Sequence, residues 1–270
     1  MEWGRITVPL TGTQRDEAVL SVAGDAAQLF GAQLEGLYVP PDPAELTPWL
    51  GEGFAGSVQV AALDSLREAA EAGLKDAEAR FATLPATVQG ALRNLTSPVW
   101  QDLARAVRLA DLVIFGDEPA RGQGALAEAF QQVLMEERAA VFVARTPVNF
   151  KGPVIVAWDG GEPASRAARR AVPLLRHASE VIIAGAPVGD RPADLARLQA
   201  YYALRGITAT VLALPRTGDV AAVLDAVCRD YKAEYLVAGA FGRSRLHEFV
   251  FGGTTRALLN GAGPSLFMAH

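Results

Sequence analysis

The sequence predicts an α/β fold made of two tandem, doubly wound domains, each with a five-stranded parallel sheet. Three observations carry this. Short apolar runs alternate with helical patterns along the whole chain, as a parallel sheet covered on both faces requires. The sequence also repeats itself. Arg5-Ile-Thr-Val-Pro-Leu-Thr-Gly-Thr13 corresponds to Pro153-Val-Ile-Val-Ala-Trp-Asp-Gly-Gly161, Asp111 to Gly116 corresponds to Glu234 to Gly239, and Ala140 to Arg145 corresponds to Ser265 to His270. Finally, 270 residues accommodate two units of about 130 residues, an ordinary domain size.

In the first unit, residues 1–148, strands are expected near 4–9, 33–39, 87–93, 111–115 and 140–144. Helices are expected near 14–30, 58–83, 98–109 and 124–137. Pro40 to Pro48 is a proline-rich connection that suits neither a regular helix nor a central strand, and 49–56 reads as a loop. Thr146 to Gly152, polar with proline and glycine, is the join. In the second unit, residues 149–270, strands are expected near 153–158, 180–185, 207–213, 234–239 and 265–269. Its helices are expected near 163–176, 191–204, 218–231 and 247–260. The apolar last strand of each unit, around Phe142 and Phe267, must be paired or covered.

Composition narrows the function classes. Half the residues are hydrophobic and a fifth are charged, a globular balance. A formal charge of -5 argues against a nucleic-acid partner, and no run of Lys or Arg marks a local basic patch. The N-terminus lacks the features of a signal peptide and no uninterrupted apolar run is long enough to span a membrane, so a cytoplasmic protein is expected. Cys228 is the only cysteine, which excludes a disulfide within the chain and suggests a buried, inert thiol.

The chemistry concentrates in 233–256. A buried strand ending at Gly239 is followed by Gly242, and a helix then starts on Gly252-Gly253-Thr254-Thr255. Glycines at a strand end and a helix start let backbone amides approach an anion closely, and the helix dipole favours phosphate there. In a doubly wound sheet the first and fourth strands flank the ligand crevice, so the segment after Ala157, Trp158-Asp159-Gly160, is its other wall. Asp159 has two readings: an acceptor for a ligand hydroxyl or a ligand of magnesium, or a turn residue, since Asp-Gly-Gly is good turn chemistry. Arg243, Arg245 and Arg256 flank the loop as phosphate partners or as solvated charges, with Arg243 the best placed.

Gly239-x2-Gly242-x9-Gly252 resembles the signature of the universal stress protein family, whose ATP-binding members carry Gly-x2-Gly-x9-Gly-Ser/Thr after the fourth strand. Leu246, Glu248 and Thr255 also fall where that family has such residues, whereas Gly253 stands in place of its Ser or Thr. The resemblance implies a Rossmann-like, adenine nucleotide alpha hydrolase-like fold. It implies ATP, or AMP or ADP, at Ala157, Asp159, Gly239, Gly242, Arg243, Gly252, Gly253, Thr254 and Thr255, with magnesium at Asp159. It further implies pairing through the fifth strands, here within one chain, and leaves a homodimer of chains open. The first unit keeps only the layout: Thr11 replaces the acid, Pro119 replaces the second glycine, and Ala129-Phe130 replaces the helix-start glycine. It is expected to be a non-binding copy. No general base over a γ-phosphate can be named, so a nucleotide-responsive stress module with at most slow hydrolysis is expected. The alternative is a protein–protein scaffold that binds no nucleotide.

Other motifs carry less. Gly122-Gln-Gly124 mimics a dinucleotide fingerprint but stands beyond its strand, outside the required strand–helix turn. His177, His247 and His270 form no triad or metal spacing, and His177 reads as a helix-end or surface residue.

Overall fold

The computed structural model describes residues 3–41, 56–145, 147–185, 193–215, 219–240 and 253–270. The first half contains β1 (Arg5–Leu10), α1 (Asp16–Phe30), β2 (Gln33–Tyr38), α2 (Gly56–Phe81), β3 (Gln89–Asn94) and α3 (Val99–Val107). It continues with β4 (Leu112–Gly116), the short α4 (Asp117–Ala120), α5 (Ala127–Gln131), a π-helical turn (Gln132–Glu136) and β5 (Val141–Ala144). The second half contains β6 (Pro153–Ala157), α6 (Glu162–Arg170), α7 (Val172–Leu175), β7 (Glu180–Gly185) and α8 (Leu195–Ala203). β8 (Ala209–Ala213), α9 (Val220–Asp230), β9 (Tyr235–Gly239), α10 (Gly253–Asn260) and β10 (Ser265–Ala269) complete it.

These strands form one ten-stranded sheet in the order β3-β2-β1-β4-β5-β10-β9-β6-β7-β8. Every neighbouring pair is parallel except β5 and β10, which run antiparallel with Phe267 opposite Phe142. Each half repeats the order 3-2-1-4-5, so the chain reverses direction across the sheet between β1 and β4 and again between β6 and β9. The inner strands such as β4, β6, β9 and β10 are near-continuous apolar runs because both faces are covered, whereas the edge strands β3 and β8 are largely exposed. On one face Ile6, Ile114, Val154, Val237 and Phe267 pack with helices that include α1, α6 and α8. On the other, Val113, Val143, Ile155, Leu236 and Met268 pack with helices that include α3, α9 and α10.

Two expected helices differ in detail. The 163–176 helix is two segments with a break at Ala171, because Pro173 has no N–H and its ring crowds the carbonyl of residue 169. The 124–137 helix starts at Ala127 and widens into the π-helical turn before β5.

Arg145 staples the seam beside β5 and β10. Its side chain is 5% exposed and its Nε donates to Asp117 Oδ1 at 2.7 Å. Nη2 donates to the Leu258 and Leu259 carbonyls at 2.7 and 2.8 Å, and Nη1 to those of Gly263 and Pro264 at 3.4 and 3.3 Å. One guanidinium thus satisfies carbonyls that α10 leaves open at its C-terminal end. The Arg145 amide also donates to Ser265 Oγ at 3.1 Å.

Candidate functional site

The crevice lies where the order reverses in the second half. β6 pairs with β7 on one side and β9 on the other, with Val156 opposite Val237. Past β6 the chain leaves the sheet at Trp158 and turns on Asp159, whose Oδ1 accepts the Gly161 N–H at 2.7 Å. That Asx turn sets Gly161 as the N-cap of α6. Asp159 is exposed, and its Oδ2 has no partner among the described residues. Turn residue and available acceptor are therefore one and the same side chain.

Gly239, at the end of β9, has a packing reason of its own. A Cβ there would lie 2.4 Å from the Ala164 nitrogen and 2.6 Å from the Pro163 carbonyl carbon. These are backbone atoms of the first turn of α6 and cannot swing aside, so glycine at 239 is what lets α6 lie across the strand end. The structure thus brings Ala157, Asp159 and Gly239 together around the start of α6. Gly253 differs: a Cβ there would meet nothing within 4 Å. Gly253 and Thr254 are exposed at the described start of α10, whereas Thr255 is buried. Gly242, Arg243, Arg245 and Gly252 lie outside the described residues.

The sequence placed Trp158 in the crevice wall but gave its side chain no role. Its indole N–H is buried next in the chain to Asp159 and has no hydrogen-bond partner among the described residues. The only hint was its place directly before the acid. Among the described residues no cluster of three or more His, Cys, Asp or Glu could hold a metal ion. One acidic side chain suits magnesium, which takes one or two carboxylates and leaves its other positions to phosphate and water. Cys228 is buried, and desolvation pushes its thiol up to about 12. His177 packs its ring edge-on to Phe30, with centroids 5.4 Å apart.

The corresponding place in the first half is filled by protein. The Thr11 and Gly12 amides donate to the buried Asp16 carboxylate, Gly12 at 2.7 Å. Burial raises the Asp16 pKa above its ordinary value even though these amides and the nearby Arg80 pull it down. Gly12 has φ +77, and a Cβ there would sit 2.1 Å from the Gly73 carbonyl oxygen of α2. The helix therefore lies directly on the loop, and the amides an anion would need are already taken. After β4, Asp117 to Ala120 coil into α4, and the Gly122–Gly124 pair falls in the following turn.

No protein-family model matches the chain, nor does any curated protein. Solved structures do match along its full length. A universal stress protein from Archaeoglobus fulgidus DSM 4304 superposes with a TM-score of 0.70 at 18% identity, covering 98% of this chain and 97% of that one. A functionally unknown protein from Pseudomonas aeruginosa PAO1 does so with a TM-score of 0.57 at 14% identity, covering 98% and 92%. At such identities the likeness is one of fold: this chain has the Rossmann-like fold of a full-length universal stress protein chain.

Proposed function

We propose that this chain is a tandem member of the universal stress protein family, and that its second unit binds an adenine nucleotide as a regulatory module. The units are residues 1–148 and 149–270, meeting at the β5–β10 pair. The observation that carries the reading is the placement of an exposed acid and the glycine-bearing strand end on either side of the reversal point in the second half. Ligands of doubly wound sheets bind at such points. The corresponding point in the first half is filled by Asp16 and Gly73, so that unit is the non-binding copy.

In this reading Asp159 Oδ2 accepts from a ribose hydroxyl or helps hold the magnesium that accompanies the phosphates, and Ala157 lines the crevice. Gly242, Gly252 and Gly253 offer amides to the phosphates. Gly253 leaves open space for that approach, the Thr254 and Thr255 hydroxyls lie close by in sequence, and Arg243 adds charge. Gly239 contributes by seating α6 rather than by facing the ligand. The function is binding rather than turnover, and it fits a cytoplasmic protein. Among the described residues no helix is long and apolar enough to cross a membrane.

Isothermal titration with Mg-ATP tests the proposal. One nucleotide per chain, lost in Gly242→Glu, supports it. A second nucleotide per chain would mark a further site outside this crevice. No binding would overturn it and leave the scaffold alternative in front.

A further inference from the structure

A second cleft, of about 770 Å³, shares no lining residue with the crevice. Arg166, Arg169, Arg170, Arg176 and Arg205 line it together with Trp3, Asp111 and Tyr201. Five arginines line one cleft in a chain whose formal net charge is -5. Solvated surface arginines are ordinarily interspersed with acids, and here almost none face them. Glu162 pairs with Arg166 at 2.5 Å. Asp111 is committed elsewhere, since its Oδ2 accepts the Gly4 and Arg5 amides at 2.8 and 3.0 Å. The Arg169 side chain has no hydrogen bond or ion pair among the described residues.

Three of the arginines are held in place by main-chain carbonyls. Arg170 Nη1 donates to the Arg138 carbonyl, which a left-handed residue at φ 50 presents to it. Arg205 Nη1 donates to the Tyr201 carbonyl at 3.0 Å, and its guanidinium lies 3.5 Å from the centroid of the Tyr201 ring. Arg176 Nε donates to the Arg205 carbonyl at 3.4 Å. Each keeps further N–H donors free. Burial, together with the neighbouring Arg166 and Arg169 charges, holds Arg170 below the ordinary arginine range, so like charges are crowded with little to relieve them. Guanidinium forks match phosphate oxygens bidentately, and orientation before binding lowers the entropy lost on binding.

We propose that this arginine-lined cleft binds a small molecule carrying two or more linked phosphates, at a site separate from the nucleotide crevice. A cavity of this size is within the range of small-molecule sites. Several guanidiniums facing one space favour several linked anionic groups over a single one.

The test is isothermal titration with sodium tripolyphosphate and, separately, sodium orthophosphate at one ionic strength, with Gly242→Glu disabling the other site. One tripolyphosphate should bind per chain, more tightly than orthophosphate. Arg169→Ala should weaken it about tenfold, as expected for one lost charge-assisted contact. Arg67→Ala, which removes an exposed arginine outside the cleft, should leave it unchanged. Arg169 is exposed and its side chain has no hydrogen bond or ion pair among the described residues, so an unchanged circular dichroism melt should accompany its loss of binding. Absence of binding, equal affinity for orthophosphate, equal effects of Arg169→Ala and Arg67→Ala, or loss of binding in Gly242→Glu alone would each overturn the proposal.

Discussion

Replacing Arg145 with methionine is the sharpest test of how the two halves are joined. The substitution keeps apolar bulk at a side chain that is 5% exposed, but removes the charge and five hydrogen bonds. Three of those bonds are short, at 2.7, 2.7 and 2.8 Å, to Asp117, Leu258 and Leu259. Leaving a buried acceptor unpaired costs about 1–3 kcal/mol, and removing one partner of a buried ion pair costs about 3–5 kcal/mol. Asp117 retains Arg121 at 2.5 Å, so no orphaned carboxylate adds to the loss. The expected destabilisation is therefore near the lower figure, about 3 kcal/mol. It is measured as the change in free energy of unfolding from urea titration followed by circular dichroism. Arg108→Ala is the control: it breaks a two-pronged contact with Glu137 at 2.8 and 3.1 Å, but at an exposed site where such pairs contribute little. A loss below about 1 kcal/mol for Arg145→Met would refute the reasoning, because it would mean that the carbonyls find other partners at no cost.

Gly239→Ala should destabilise the fold by about 2 kcal/mol, since the new methyl meets fixed backbone of α6. Gly253→Ala should leave stability unchanged or slightly higher while weakening nucleotide binding, so urea midpoints and titrations on both variants separate packing from ligand contact. Asp16 has its folded pKa raised from 3.8, chiefly by burial. Its contribution to stability is therefore full below 3.8 and lost as pH rises through the folded value; the stability of the wild type relative to Asp16→Asn should fall over that window in urea titrations at stepped pH. With its thiol pushed up to about 12 and buried, Cys228 should resist a disulfide reagent at neutral pH in the native protein and react once urea unfolds it.

What the sequence revealed and what it hid follow from the range of each interaction. Apolar runs locate the inner strands because a strand buried on both faces must be apolar along its own length, and the internal repeat gives the layout of both halves, including the more polar edge strand β3. Proline at 173 lay in plain view, yet its break at Ala171 is a local effect that periodicity smooths over. Arg145 carried no signal at all, since four of its acceptors lie more than a hundred residues away. The arginine cleft escaped for a similar reason. Composition sees a net negative charge and no basic run, whereas the fold gathers Arg166, Arg169 and Arg170 with Arg176 and Arg205 from further along the chain. The positions of Asp159 and Gly239 at the ends of their strands were legible, but only the backbone of α6 reveals why 239 must be glycine.

The antiparallel pairing of β5 with β10 has a consequence beyond closing two edges. Were these strands on separate molecules, their pairing would weaken on dilution and follow the cell's expression level. Because the short stretch from Ala144 to Pro153 joins β5 to β6, the halves that carry β5 and β10 meet at an effective concentration fixed by the tether rather than by protein abundance. The two halves therefore stay paired at any dilution.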